Sequence, residues 1–341
     1  MQLFLDSYGA FLNVRNGKFQ ITPKNNPPQS FATDDVEVIF LTEGVTATSD
    51  AMMLALEKSI PIVLLNYLGQ PVGQVWSGRF GSIATIRRRQ MLFAENTEGW
   101  LWMAFTLARK IENHQIALRQ LADRYPALFN EMTRKKLGRT LATLDGLAKS
   151  FKRYPFSDTD FKRIAAEFRA LEATASRHYF RFLGAIIPTE KWRFESRSAR
   201  PARDYFNCIL NYLYGMLYAQ VELALIKVGI DPSLGILHVD RYNTPTMVYD
   251  FIEPYRHWAE IVALDLALED AVPEEGFNSS FETTGENSGF WLNSKAKGVV
   301  INRFLTYLNE PIAFNKKQQK RLIVLDMEAQ LLATKLKTFL I

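Results

Sequence analysis

The chain has 341 residues and a formal net charge of +5, with 48% hydrophobic and 23% charged residues. These are ordinary values for a globular protein, and the length exceeds what one hydrophobic core usually serves, so two domains are expected. The single cysteine, Cys208, excludes a disulfide framework and a thiolate metal site, and it predicts a reducing, cytoplasmic location.

No membrane association is predicted. The opening residues lack the basic and the long apolar regions of a signal peptide. The longest apolar stretch, residues 211–230, contains Gln220, Glu222 and Lys227. Because charged side chains are costly inside a bilayer, we expect this stretch to be a buried helix.

Residues 1–80 are predicted to form a small β-rich domain with one helix. Asn16-Gly17 is the preferred pair for a two-residue hairpin turn, and apolar runs flank it. The helix is expected to begin at a cap formed by Ser49 and Asp50 and to run to about Lys58. Strands are expected at 2–14, 19–22, 36–42, 61–67 and 71–76.

After the junction at Gly78 and Gly81 the apolar spacing becomes helical, and residues 81–341 are predicted to form a large all-α domain. A polar segment at 272–289 is predicted to be a mobile loop. Helices are expected at 83–123 with an interruption near Glu98-Gly99, at 128–151, at 158–182 with a cap at Ser157-Asp158, and at 203–228, 245–269, 295–309 and 315–338. The fold class is therefore α+β, with a small N-terminal β-rich domain followed by a large helical domain.

The charge is unevenly distributed between these two parts. Residues 1–80 carry five basic and seven acidic residues, a net of −2, which leaves 36 basic and 29 acidic residues, a net of +7, for the rest. A basic helical domain suggests that this part of the protein meets a polyanion.

Glu172 is the first candidate for a functional site, because it lies beside an apolar stripe of the helix predicted at 158–182. The stripe follows helical spacing and consists of Ile164, Phe168, Leu171, Ala175 and Tyr179. A carboxylate that faces a core is costly unless it is paired or coordinated. Glu172 is therefore either salt-bridged to a neighbouring arginine or a ligand to a cation.

His238 is the second candidate, at the end of a short apolar segment that is predicted to be strand-like. Neutral imidazole can bind a divalent metal through one nitrogen while an acceptor holds the other. The alternative is a structural histidine with its hydrogen bonds satisfied.

Asp250 and Glu253 are three residues apart and share a face of the helix predicted at 245–269. Two like charges placed together favour a cation between them or a raised pKa. The alternative is a solvated acidic edge, which the apolar neighbours disfavour. Two carboxylates and an imidazole in apolar surroundings are what a hard divalent cation needs to activate a phosphodiester.

In this order and with this flanking sequence, the motifs resemble the CRISPR adaptation integrase family, which inserts spacers into CRISPR arrays. The segment Lys110-Ile111-x-Asn113-x-Gln115 supports the resemblance. Three blocks carry it: Leu171-Glu172 with Ser176-Arg177-His178-Tyr179-Phe180; Asp204-x-x-Asn207-x-x-Leu210-Asn211-Tyr212 leading to Gly229-Ile230-Asp231-Pro232 and Gly235-x-x-His238; and Tyr249-Asp250-Phe251-Ile252-Glu253-Pro254-Tyr255-Arg256.

The resemblance implies a metal-dependent integrase or endonuclease. Glu172, His238 and Glu253 would hold Mg²⁺ or Mn²⁺, and Asp250 would support them or ligate occasionally. A DNA 3′-hydroxyl would then attack the phosphodiester in a transesterification, which requires no high-energy cofactor.

The same resemblance implies double-stranded DNA with exposed 3′ ends and CRISPR repeat DNA as substrates. It also implies a homodimer formed through the β domain, together with a small ferredoxin-like partner protein. Trp192 and Phe194 are interleaved with basic residues and could stack on bases, although a solvated loop is the alternative. The candidate DNA contacts are Arg177, Arg181, Lys191, Arg193, Arg197, Arg200, Arg203 and Arg256.

Two other functions are compatible with these residues. If water replaces the hydroxyl as nucleophile, the same metal site makes a branched-DNA or RNA endonuclease. If the carboxylates only make salt bridges, the chain is a non-catalytic DNA-binding scaffold.

Overall fold

The computed structural model describes residues 1–24, 26–69, 71–75, 83–156, 160–187, 189–199, 201–238, 242, 244–280 and 289–339. The predicted domain junction near residue 80, with its two glycines, lies outside the described residues. So do the predicted helix cap at Ser157-Asp158 and the candidate DNA contact Arg200.

The N-terminal part is rich in strands, as predicted, and forms two sheets. Its strands are β1 (Gln2–Leu5), β2 (Phe11–Arg15), β3 (Lys18–Thr22), β4 (Gln29–Phe31), β5 (Val38–Thr42), β6 (Thr46–Ala47), β7 (Ile62–Leu65) and β8 (Pro71–Val75). One sheet has the order β1-β5-β7-β8, with β8 antiparallel to its neighbour, and the other has the order β4-β3-β2-β6. Residues 38–41 of β5 are buried and contribute to the cores on both faces of its sheet.

The predicted hairpin turn is confirmed. Asn16 and Gly17 have φ values of 52° and 70° and join β2 to β3. These are the positive φ values that such a turn needs and that asparagine and glycine tolerate best. The helix α1 (Ser49–Glu57) is also present, but its cap is Thr48, whose hydroxyl accepts a hydrogen bond from the Ala51 amide. The predicted cap at Ser49 and Asp50 is therefore wrong by one residue.

The rest of the chain is mostly helical. The helices in its described residues are α2 (Ile83–Ala94), α3 (Thr97–Arg124), α4 (Glu131–Lys152), α5 (Phe161–Ile186), α6 (Tyr205–Lys227), α7 (Thr246–Phe251), α8 (Arg256–Leu268), α9 (Ser294–Asn309) and α10 (Arg321–Thr338). The predicted interruption near residue 98 separates α2 from α3, and Asp160 caps α5 by accepting from two backbone amides.

Three details of this part differ from prediction. The helix expected at 245–269 is divided by a 3-10 turn at Glu253–Tyr255, because Pro254 cannot continue an α-helix. The domain is not all-α: β9 (Phe277–Ser280), inside the segment predicted to be a mobile loop, pairs with β10 (Gly289–Leu292), which begins at the last residue of that segment. Residues 281–288 lie outside the described residues. A second hairpin, β11 (Pro311–Phe314) with β12 (Lys317–Lys320), precedes α10.

Helix α6 is mostly buried. It is long and apolar enough to cross a membrane by composition, but 78% of its most apolar window is buried inside the protein, as predicted for a core helix. Its Ala219 and Leu223 pack against β5 and β7. Gln220 exchanges hydrogen bonds of 2.9 and 3.0 Å with Gln2. The helix thus joins the β-rich part to the helical part.

The pH dependence of stability tests this packing at Glu222, which lies on α6 near β8. Burial raises the pKa of Glu222 to about 7, against a smaller lowering by Gln74. The unfolded chain ionises this carboxyl near pH 4.3, so its protonation supports folding at low pH and stability is lost as pH rises from about 4.3 to about 7. We expect Glu222→Gln to raise the free energy of unfolding by about 2 kcal/mol at pH 8, and by much less at pH 4.

Denaturant unfolding at the two pH values measures this difference. Glu57→Gln, which changes an exposed carboxyl at the end of α1, serves as the control and should have the same effect at both. An equal effect of Glu222→Gln at pH 4 and pH 8 would contradict the burial of this carboxyl against the β domain.

Candidate active site

The three predicted ligands meet at one cavity of about 930 Å³ in the helical part. Glu172 comes from the middle of α5, His238 from a bend at 236–238, and Glu253 from the 3-10 turn that follows α7. Residues that are 81 positions apart in the chain therefore face the same space. The bend is not the strand-like segment predicted for it, because its backbone amides bind a side chain instead of a neighbouring strand.

The carboxylates of Glu172 and Glu253 are joined by Lys110, a buried residue of α3. The Lys110 ammonium forms an ion pair with Glu172 Oε1 and lies 2.5 Å from Glu253 Oε2. Ser176, one turn along α5, donates a hydrogen bond of 2.6 Å to Glu172 Oε1. Burial and the nearby Glu253 would raise the pKa of Glu172, but Lys110 and Ser176 hold it below its ordinary value.

Glu253 is buried and paired on both oxygens. Arg256 donates from Nε to Glu253 Oε1 at 2.8 Å and from Nη1 to the Tyr218 hydroxyl at 2.9 Å. Burial opposes ionisation, but Arg256, Lys110 and His238 lower the pKa of Glu253 to about 2. Glu253 is therefore an anion at neutral pH. Its Oε2 accepts no well-aligned hydrogen bond although the Lys110 ammonium lies beside it.

Asp250 holds His238 in place. Its carboxylate is fully buried, lies 2.6 Å from His238 Nδ1 and accepts from the amides of Ile236 at 2.5 Å and Leu237 at 3.0 Å. A proton on Nδ1 leaves Nε2 with its lone pair, the form that binds a metal. Gly235 is required for this approach, since a Cβ there would lie 2.9 Å from Asp250 Oδ2. Asp250 thus orients His238.

Glu172, His238 and Glu253 are suitable ligands for Mg²⁺ or Mn²⁺, but their side chains do not surround one common ion position. In the described parts of the chain, no three Asp, Glu, His or Cys side chains are arranged to share a metal as they stand. The Lys110 ammonium contacts an oxygen of each of the two carboxylates. Two carboxylates with an imidazole are suitable ligands, and Glu253 Oε2 is a buried acceptor without a hydrogen bond.

A second buried polar cluster supports the wall of the cavity. The Tyr214 hydroxyl donates to Glu260 Oε1 at 2.6 Å, and His114 Nε2 lies 3.2 Å from Glu260 Oε2. Burial opposes ionisation of Glu260, but His114 and Tyr214 lower its pKa to about 2. The Tyr214 ring also contacts the guanidinium groups of Arg197 and Arg256, at 5.4 and 5.1 Å from its centroid. The cluster thereby holds Arg256 against Glu253.

The candidate DNA contacts are not equivalent in the structure. Arg177 and Arg181 are exposed and line the cavity beside Glu172. Arg197 also lines it but donates to Asn207 and to Asn211, the latter at 2.8 Å. Its guanidinium is therefore partly committed to the fold.

The predicted roles of four other residues are corrected. Lys191 pairs with Asp270 at 2.5 Å and donates to the Val272 carbonyl, so its charge is used within the fold. Trp192 and Phe194 are buried in the core, where bases cannot stack on them. Arg256 is committed to Glu253 and Tyr218, so it positions a ligand and is not free to bind a phosphate.

Arg193 and Arg203 are exposed but line a different, smaller cavity. Any contact of these two arginines with DNA lies outside the cavity of the three ligands.

Lys110 is the functional residue that the sequence reasoning missed. The segment Lys110-Ile111-x-Asn113-x-Gln115 by itself assigns Lys110 no role, yet Lys110 lies on the buried stripe of α3 with Leu107, Ile111 and His114. A lysine at a buried position of an amphipathic helix needs an anionic partner, and this signal could have identified it.

We expect Asp250→Asn to destabilise the protein and release His238. An amide nitrogen in place of one carboxylate oxygen would face backbone amides, which are donors too, so the loss is about 3 kcal/mol. Thermal unfolding measures the stability, and ¹⁵N shifts of the imidazole measure the His238 tautomer. Asp145→Asn, at a half-exposed position of α4, is the control. An unchanged tautomer and an unchanged unfolding temperature would show that Asp250 does not orient His238.

Comparison with known proteins identifies the class. Residues 3–306 match the family model described as CRISPR associated protein Cas1. The chain therefore belongs to the Cas1 family, which confirms the resemblance drawn from its three sequence blocks. Among curated relatives, it is 26% identical over 268 residues to CRISPR-associated endonuclease Cas1 1 of Archaeoglobus fulgidus, covering 75% of this chain and 74% of the relative. It is 25% identical to CRISPR-associated endonuclease Cas1 2 of Pyrobaculum aerophilum over 277 residues, covering 79% and 83%.

Solved structures agree on the fold. A casposase bound to an integration product superposes with a TM-score of 0.79 at 20% identity, covering 99% of this chain and 90% of that one. A Cas1 protein from Thermotoga maritima superposes with a TM-score of 0.76 at 18% identity, covering 99% and 97%. The predicted order of a strand-rich part followed by a helical part is thus that of the family.

Proposed function

We propose that this chain is a metal-dependent DNA integrase that inserts spacers into a CRISPR array. The observation that carries the proposal is the meeting of Glu172, His238 and Glu253 at one cavity in a member of the Cas1 family. The similar casposase is bound to an integration product, which favours strand joining as the reaction.

The residues of the candidate active site would have two kinds of role in the integration reaction: some would hold the metal ion, and others would position those ligands. Glu172, His238 and Glu253 would hold Mg²⁺ or Mn²⁺, which when bound polarises a phosphate and offsets developing negative charge. Asp250 keeps His238 in the tautomer that can ligate, and Arg256 keeps Glu253 ionised.

The substrate DNA would enter beside α5, where Arg177 and Arg181 stand at the cavity and can contact its phosphates. A DNA 3′-hydroxyl forms a new P–O bond while the bond to the displaced 3′-oxygen breaks. One phosphodiester replaces another, so no nucleotide hydrolysis is required.

The proposed DNA substrates and protein partners rest on the family to which the chain belongs. We propose that the chain acts on double-stranded DNA with exposed 3′ ends and on CRISPR repeat DNA, as a homodimer with a small ferredoxin-like partner. A solved complex that contains both Cas1 and Cas2 includes a chain similar to this one, with 20% identity and a TM-score of 0.76 over 98% of this chain and 35% of that one.

Hydrolysis is the second candidate, because curated relatives carry the name endonuclease. The same site would then use water as nucleophile. A plasmid with CRISPR repeats separates the two reactions, because strand joining yields branched products and hydrolysis yields only cut ones.

We expect Glu172→Gln, His238→Ala and Glu253→Gln each to reduce strand joining by about 100-fold or more, since each removes a group that would hold the metal. Gel analysis of joined products with added Mn²⁺ measures the rate, and duplex binding should persist. Glu167→Gln, at an exposed position of the same helix α5, is the matched control and should keep full activity. Equal activity with and without Mn²⁺ in the presence of a chelator would refute the metal dependence.

We expect the double variant Arg177→Ala, Arg181→Ala to weaken duplex binding and to reduce the slope of log affinity against log salt by about 2, because two phosphate contacts are lost. Fluorescence anisotropy over a salt series measures both quantities. Lys149→Ala, on the exposed side of α4, is the control. A slope equal to that of the unaltered protein would remove α5 from the DNA surface.

A further inference from the structure

The Lys110 ammonium occupies the position that a cation bound by both Glu172 and Glu253 would occupy. Its side chain is only 6% exposed, although lysine is rarely buried, and it reaches the cavity from α3. The contacts shown for its ammonium are with two carboxylates that come from separate elements, α5 and the 3-10 turn. The ammonium therefore already balances the two charges that a divalent ion would balance.

The Lys110 ammonium and a metal ion exclude each other from this position for steric and electrostatic reasons. A divalent ion held by both carboxylates lies about 2.1 Å from their oxygens. Because Lys110 Nζ contacts an oxygen of each carboxylate, the two cations would occupy nearly the same position and repel each other strongly in a buried site.

Arg256, the second cation that pairs with Glu253, is held in place by the contacts of its guanidinium. It is buried, donates to Glu253 Oε1 and to Tyr218, and its guanidinium lies against the rings of Tyr214 and Tyr218. Lys110 instead contacts Oε2, the oxygen that accepts no aligned hydrogen bond, at the end of a flexible four-carbon stem. Of the two cations, the ammonium is the one that can withdraw.

We propose that Lys110 is an internal counter-cation that holds Glu172 and Glu253 together in the metal-free protein and must withdraw before a metal ion binds both. This inference rests on the proposed function, since the metal centre is itself proposed. Lys110 is then a positioning residue that competes with the metal and lowers its apparent affinity.

The first test is calorimetric titration of the purified full chain with Mn²⁺ in the absence of DNA. Lys110→Met preserves the length of the side chain and removes its charge. We expect the Met variant to bind Mn²⁺ about tenfold more tightly or better. Lys110→Arg keeps a competing charge and should remain within about threefold of the unaltered protein. Equal or weaker Mn²⁺ binding by the Met variant would overturn the competition.

The second test needs no metal. Without Lys110, Glu172 loses its cation, whereas Glu253 keeps Arg256. We therefore expect Lys110→Met to lower the unfolding temperature in the presence of a chelator, and the double variant Lys110→Met, Glu172→Gln to regain part of the loss. A double variant no more stable than the single one would show that Lys110 is not the counter-cation of Glu172. Should the Met variant fail to fold alone, recovery of folding in the double variant decides the same question.

The two tests separate this inference from the function on which it rests. If Mn²⁺ binds the unaltered protein and the Met variant equally, only the proposed role of Lys110 is refuted. If Mn²⁺ binds neither protein, the proposed competition and the proposed metal centre are both refuted.

Discussion

Buried charges have to be balanced in this protein, and that requirement shapes the packing of the helices around the cavity. Glu172 and Glu253 are anions inside the helical part, and isolated charges there would cost several kcal/mol each. Lys110 and Arg256 offset them from α3 and α8. Because these cations come from elements distant in the chain, the helices must pack in one arrangement to satisfy the carboxylates. The site is thus part of what specifies the packing.

Further polar groups around these ion pairs position His238 and Arg256. Asp250 binds the backbone amides of the 236–238 bend and the His238 imidazole together, so the shape of the bend and the orientation of the ring depend on one carboxylate. Glu260 holds the Tyr214 hydroxyl, and the Tyr214 ring contacts the Arg256 guanidinium. The cavity therefore holds paired carboxylates inside, while Arg177 and Arg181 at its edge are exposed and basic, which suits a polyanion whose phosphate must reach a cation.

Much of the fold was predictable because local rules govern it. Asn16-Gly17 formed the expected turn, and helical spacing identified α3 to α6 to within a few residues. The hairpin before α10 was missed because its strand segments are short and polar on one side, and Asn315-Lys316 adopt positive φ without a glycine. The 3-10 turn at Glu253–Tyr255 divides the helix predicted at 245–269, because Pro254 cannot continue an α-helix.

The two carboxylates and the imidazole could be singled out from the amino-acid sequence, because polar groups in apolar surroundings require partners. Which groups are those partners followed from the packing of the helices. It placed Lys110 between the acids, committed Arg256 and Lys191 to ion pairs, and buried Trp192 and Phe194 away from any ligand. The physical reason is that burial and pairing across helices depend on how distant segments pack, which spacing along one segment does not contain.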